Sequence, residues 1–148
     1  MALCLTGDLL LLAKRTFDPG LGAFLLAHLS FARAFHHALP IGSWPLRALV
    51  LVGVIAVAAT VWLWPHLGRR RLPVVLYIAA ISSMAWGALS SSLAGPLPWT
   101  AGVGGVLFML SDLTVARNRF VTETWVNRAV GLPLYYLGQL LLAMTVGS

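Results

Sequence analysis

The chain has 148 residues, 59% hydrophobic and only 9% charged, with a mean hydropathy of +0.89. A soluble domain carries about 25% charged residues, so the composition excludes that class and makes lipid the solvent. The formal charge of +6 does not point to nucleic acid, because the basic residues fall in short loops between apolar runs, where they orient a membrane protein. The single cysteine, Cys4, excludes an intramolecular disulfide and any CxxC metal or redox motif.

Hydropathy divides the chain into six apolar segments, which predict one all-α, polytopic transmembrane bundle over residues 1–148. The first, Met1 to Ala13, has no basic region ahead of it and no convincing small-residue cleavage site, so it is not read as a signal peptide. At about 13 residues it is also short for a span of about 20, which suggests either a chain that begins partway through a helix or helices missing upstream. Asp18-Pro19-Gly20 then reads as a capping carboxylate before a second helix from Leu21 to Leu39. The third segment is Leu46 to Trp64, the fourth Pro73 to Leu93, the fifth Pro98 to Ala116 and the sixth Val130 to Val146. Pro40, Pro45, Pro65, Pro73, Pro96 and Pro98 lie at segment ends, where a helix tolerates them.

The loops fix an orientation. Lys14 and Arg15 mark the first, Arg69 to Arg71 the third, and Arg117, Arg119 and Arg128 the fifth. The second has only Arg47 and the fourth no charge, so the odd-numbered loops are expected to be cytoplasmic. Trp44, Trp62, Trp64 and Trp99 stand near segment ends as an interfacial belt. High arginine and alanine with a single lysine suit the inner membrane of a high-GC bacterium.

Ionisable groups within spans are costly and face the bundle interior or a water-filled cavity. Counting back from the basic loops at 1.5 Å per residue, Asp8 lies roughly 9 Å deep, Asp112 roughly 7–8 Å and His28 roughly 12 Å. Tyr77 comes out near roughly 6 Å, and Tyr135, Tyr136 and Gln139 at roughly 7–13 Å. Helices running in both directions thus bring their polar residues to one layer. Gly105, Phe108 and Asp112 share a stripe of the fifth helix, beside the small pair Ala101 and Gly105, so Asp112 is expected to point inward. Tyr135 and Gln139 share a face, as do Tyr77 and Ile81. Each has a structural alternative: Asp112 as a helix-end group paired with Arg117 or Arg119, His28 as a packing residue, the tyrosines as interhelical hydrogen-bonders. Asp18 reads as a cap, Glu123 as a solvated loop charge, and His36, His37 and His66 as interfacial.

"GDLLLL" at Gly7 to Leu12, "FLLAH" at Phe24 to His28, "SDLTVARNRF" at Ser111 to Phe120 and "YYLGQLLL" at Tyr135 to Leu142 resemble, in order and spacing, the YhhN or lysoplasmalogenase-like membrane proteins. Phe31, Leu134 and Gly138 stand where tyrosine, threonine and alanine are common. The resemblance implies a bundle of eight helices, two of them upstream of the six seen here. It also implies hydrolysis of the vinyl ether of lysoplasmalogen, a lysophospholipid, to a fatty aldehyde and a glycerophospho-choline or -ethanolamine. Asp8 and Asp112 take the places of the family's aspartates, and His28, Tyr135, Tyr136 and Gln139 those of its other motif positions.

The chemistry suits those residues without cofactor or metal. A vinyl ether hydrolyses by protonation at carbon and capture of the oxocarbenium ion by water, which needs a proton donor and a second carboxylate. His28, Tyr77, Tyr135, Tyr136 and Gln139 would position the lipid or water, and Arg117 and Arg119 would hold its phosphate. A proton-coupled transporter using the same aspartates and a non-catalytic lipid-binding protein are the competing readings. A metal site built on His28, Asp8 and Asp112 is a weaker one, since the histidines lack HExxH spacing.

Overall fold

The computed structural model describes residues 2–11 and 14–145. Among them are six α-helices and no strand: α1 (Ala2–Leu11), α2 (Phe17–Ala38), α3 (Leu46–Leu63), α4 (Arg71–Ala94), α5 (Trp99–Ala116) and α6 (Trp125–Met144). The expected end points Met1, Ala13 and Val146 lie outside the described residues. Three stretches, Leu46–His66, Gly68–Ala94 and Trp99–Val121, are long and apolar enough to cross a membrane. The chain is an integral membrane protein.

Packing runs from α1 to α2, α2 to α4, α4 to α5 and α5 to α6, with α3 laid against α4. Helix α4 therefore meets three neighbours, and its residues from Ile78 to Ser91 are buried around much of its circumference. It ends where Gly95 turns left-handed at φ +97°, with the amides of Gly95 and Leu97 both donating to the Ser91 carbonyl at 3.2 Å. Glycine suits that conformation because it has no Cβ to clash.

Small residues set the closest approaches. A Cβ on Gly105 would lie 2.7 Å from that of Ala88, and one on Gly138 would lie 3.0 Å from the Gly104 carbonyl oxygen. Helix α5 is thus held against α4 on one side and α6 on the other by backbone-level contact, as small residues permit in membranes. Gly7 does the same for α1, where a Cβ would strike the Phe24 ring at 2.5 Å.

Two boundaries differ from expectation. Helix α2 begins at Phe17, so Asp18-Pro19-Gly20 forms its first turn rather than its approach. A first-turn amide has no partner within the helix, so Pro19 loses nothing there. Asp18 does not cap; it takes the Arg70 guanidinium in a two-point ion pair at 3.0 and 3.1 Å. Helix α6 begins at Trp125, five residues before Val130, because Thr124 caps it by accepting from the Asn127 amide at 3.4 Å.

Between α5 and α6 the chain makes a wide turn, Arg117–Val121, closed by a bond from the Thr122 amide to the Arg117 carbonyl at 2.9 Å. This five-residue spacing is that of a π-helical turn, a form common at functional sites. Phe120 and Val121 fold from it onto a small core of Leu63, Leu67, Val74 and Ile78.

Candidate active site

A cavity of about 580 Å³ opens among the helices at the arginine-bearing end of the bundle. All six helices line it, and both membrane aspartates reach it: Asp8 from α1 and Asp112 from α5. Apolar residues such as Leu21, Ile78, Ile81 and Met109 form much of the wall. A volume of this size and character fits a lipid-sized ligand.

Asp112 belongs to a three-residue cluster. Its Oδ2 accepts the Tyr77 hydroxyl proton and stands 3.1 Å from His28 Nε2, which is 3.0 Å from the Tyr77 oxygen. His28 is completely buried, and its Nδ1 has no hydrogen-bond partner. A proton on Nε2 satisfies Asp112 and leaves only a lone pair uncompensated at Nδ1, so we assign that tautomer. Asp112 thus receives two donors from two other helices, while its side chain is 11% exposed, towards the cavity.

Asp8 has a simpler setting. The Tyr135 hydroxyl donates to Asp8 Oδ2 at 2.8 Å, and Gln139 Nε2 donates to the Tyr135 oxygen at 3.1 Å. This chain bridges α1 and α6. Phe108 and Phe24 stand between the two clusters. Phe108 meets the His28 ring edge-on at 5.0 Å and the Tyr135 ring at 5.2 Å, and Phe24 flanks the same two rings. The phenyl rings pack against the histidine and the tyrosine and hold both rings in position.

Most of the expected site is brought together. Asp8, Asp112, Tyr77, Tyr135 and Tyr136 line the cavity, while His28 and Gln139 support it from behind. Tyr136 is 64% exposed, on the outer face of α6. The arginines separate. Arg119 lines the cavity with its guanidinium 4.5 Å above the Phe17 ring, whereas Arg117 donates to Asn127 Oδ1 at 2.9 Å. Neither arginine pairs with Asp112, whose partners are His28 and Tyr77.

Sequence reading passed over Asn118 and Asn127, which brace the mouth. Asn127 is 4% exposed; besides Arg117 it bonds Asn118 Oδ1 at 3.3 Å and the Thr122 carbonyl at 2.7 Å through its Nδ2. Asn118 in turn accepts the Thr124 amide at 3.1 Å. These bonds brace the segment that carries Arg119 and Glu123. Glu123 and Arg128 also line the cavity, joined by an ion pair at 3.3 Å. The signal available was the density of Asn and Thr between two helices, the usual currency of a braced loop.

The YhhN family model matches residues 1–146. The chain belongs to the YhhN family. This bears out the resemblance carried by the four motifs. Similar proteins include a lysoplasmalogenase of Mycobacterium bovis, 40% identical over 147 residues, an overlap of 92% of this chain and 53% of that protein. Lysoplasmalogenase TMEM86A of Bos taurus is 33% identical over 135 residues, covering 87% of this chain and 55% of its own length. Lysoplasmalogenase TMEM86B of Sus scrofa is 32% identical over 145 residues, covering 96% and 59% respectively. This YhhN chain spans about half the length of the curated relatives it matches. No solved structure matches it.

Proposed function

We propose that this YhhN protein hydrolyses the vinyl ether of a lysoplasmalogen, releasing a fatty aldehyde and a glycerophospho-base. The observation that carries this reading is the placement of two carboxylates, each held by its own tyrosine, on one lipid-sized cavity. The names of the similar proteins point the same way.

The two settings divide the work. Asp112, whose Oδ2 accepts from donors on two other helices, takes the place facing the developing cation and the attacking water. Asp8, bridged to α6 through Tyr135, takes the role of proton donor in this scheme. In the first step the Asp8 carboxyl transfers its proton to the β-carbon of the vinyl ether, and the ether oxygen's lone pair forms the oxocarbenium ion. Asp112 stabilises that cation and removes a proton from the water that attacks it, giving a hemiacetal. As the hemiacetal collapses, Asp112 returns its proton to the departing glycerol oxygen, and Asp8 takes the proton of the hemiacetal hydroxyl. The carbon–oxygen bond breaks, the aldehyde forms, and both aspartates recover their starting states. Such positioned proton transfers contribute about 10²–10⁴-fold each.

Tyr77, Tyr135 and Tyr136 border the reacting atoms, His28 and Gln139 position the two carboxylate clusters, and Arg119 holds the lipid phosphate. Arg117 acts by bracing the mouth through Asn127. The odd-numbered loops are cytoplasmic, by the distribution of arginines between loops, and the arginine- and alanine-rich composition with one lysine suits a bacterial inner membrane. The test is aldehyde release from a lysoplasmalogen by the purified chain, with Asp8→Asn and Asp112→Asn as controls. Turnover in the native chain and its loss in both variants are expected; wild-type rates in both variants would overturn the assignment.

A further inference from the structure

The hydrocarbon tail of a bound lipid has no room at the inner end of the cavity. Past Ile81 and Met109, which line that end, the bundle is filled by Met84, Ala88 and Phe108, all completely buried. The cavity reaches the outside of the bundle along α6 instead. Leu132 and Tyr136 both line it, yet they are 52% and 64% exposed on the outer surface. One turn apart on a single face of α6, they stand beside Tyr135, which bonds Asp8 of α1. Helix α1 packs chiefly against α2, and α6 against α5, so the two meet across a seam rather than a packed interface. The deeper part of this seam is tied by Tyr135 on Asp8 and by Gln139 facing the buried Cys4. Its arginine-bearing end, between Leu11 and Leu132, borders the cavity.

We infer that the seam between α1 and α6 is the chain subsite of this cavity: the hydrocarbon tail of a lysolipid passes between Leu11 and Leu132 and lies along Tyr136 in the surrounding bilayer. The inference rests on the hydrolytic reading, in which Asp8 delivers its proton to the β-carbon of the vinyl ether. That carbon carries the rest of the tail, so the tail starts beside α1 and leaves by the apolar opening next to it. No enclosed tunnel is needed, because lipid tails are as apolar as leucine and the chain exchanges one apolar surrounding for another. Leu11 leans on α2, where a Cβ at Gly20 would lie 2.9 Å from it, and this backing fixes one edge of the opening. Arg119 at the mouth and the seam beside Asp8 thus hold opposite ends of the same lipid.

The experiment places the full chain in lipid nanodiscs with a saturated-ether lysophosphocholine that carries a diazirine at the middle of its tail. After irradiation, peptide mass spectrometry locates the label. Leu11, Leu132 and Tyr136 are expected to take more of it than Val54 and Val57, exposed residues of α3 that report contact with free lipid. Leu132→Trp, which fills the opening, should lower the label on Leu11 about tenfold, equivalent to about 1.4 kcal/mol of overpacking, while Leu132→Ala should keep it. Leu132 is exposed, so both variants should unfold at the native midpoint. Label concentrated on Ile81 or Met109, label on the seam no greater than on Val54 and Val57, or an unchanged label in Leu132→Trp would overturn the inference. The readout does not depend on turnover. A labelled seam without aldehyde release would remove the hydrolytic reading and leave the chain subsite standing.

Discussion

The two aspartates that share the cavity are held in opposite ways. Asp112 sits where three central helices meet, and its partners come from α2 and α4, each packed deep in the bundle. Asp8 sits on the short helix α1, which packs chiefly against α2, and its one donor comes from α6. The first carboxylate is held by two donors, one of them the fully buried His28; the second is tied by a bridge between two outer helices. A group that must stabilise charge needs a preorganised environment, whereas a group that delivers a proton to carbon must change its bonding during the reaction. The asymmetry therefore matches a carboxylate at Asp112 and a proton donor at Asp8.

Breaking each carboxylate gives the largest effect. Asp112→Asn and Asp8→Asn should each lower aldehyde release about 10³-fold or more while leaving the helical content unchanged, as checked by turnover and circular dichroism. In heavy water the aldehyde should carry one deuterium at its α-carbon, since the proton delivered to carbon exchanges with solvent.

The supports should separate the clusters by stability. Removing His28 leaves Asp112 and Tyr77 without their shared partner deep in the core, so His28→Ala should cost about 1–3 kcal/mol and lower the unfolding midpoint in detergent. Tyr135→Phe breaks the outer bridge and should cost nearer 0.6 kcal/mol, the average of interhelical hydrogen bonds in membranes. Equal losses would remove the distinction between a rigid and a loose site.

Packing gives an effect of the same size as the loss of His28. A Cβ at Gly131 would collide with the Thr114 hydroxyl, so Gly131→Ala should cost about 1–3 kcal/mol by forcing α6 away from α5. Because α6 carries Tyr135, this variant should weaken the Asp8 cluster more than the Asp112 cluster. Turnover falling further than the midpoint shift explains would show it.

The smallest effect lies at the surface. The Arg70 guanidinium beside Asp18 holds that carboxyl below the usual range, chiefly through their hydrogen bonds. A depressed carboxylate contributes stability above its ordinary value of about 3.9, and that contribution is lost as pH falls through the lower folded-state value. Both groups are exposed, so Arg70→Gln should cost about 0.5 kcal/mol or less at neutral pH, and the difference should vanish in strong acid.

Much of this was legible in the sequence. The helices followed from apolar runs broken by arginine and proline, and the shared depth of Asp8, His28, Tyr77, Asp112 and Tyr135 followed from rise per residue. The stripe of Gly105, Phe108 and Asp112 faces inward as helical periodicity required. What could not be read was rotation within a loop. Arg117 and Arg119 looked equivalent by position, but the wide π-helical turn sends one to Asn127 and the other over Phe17. Asp18 read as a cap because its partner, Arg70, lies 52 residues away. Asn127 gained its bracing role only because α6 starts at Trp125, which buries it in the first turn.

The most direct measurement is aldehyde release from lysoplasmalogen by the purified chain and by its Asp112→Asn and Asp8→Asn variants, side by side. Aldehyde from the native chain and its loss in both variants is the expected result. Native-level aldehyde from either variant would contradict the two-carboxylate site.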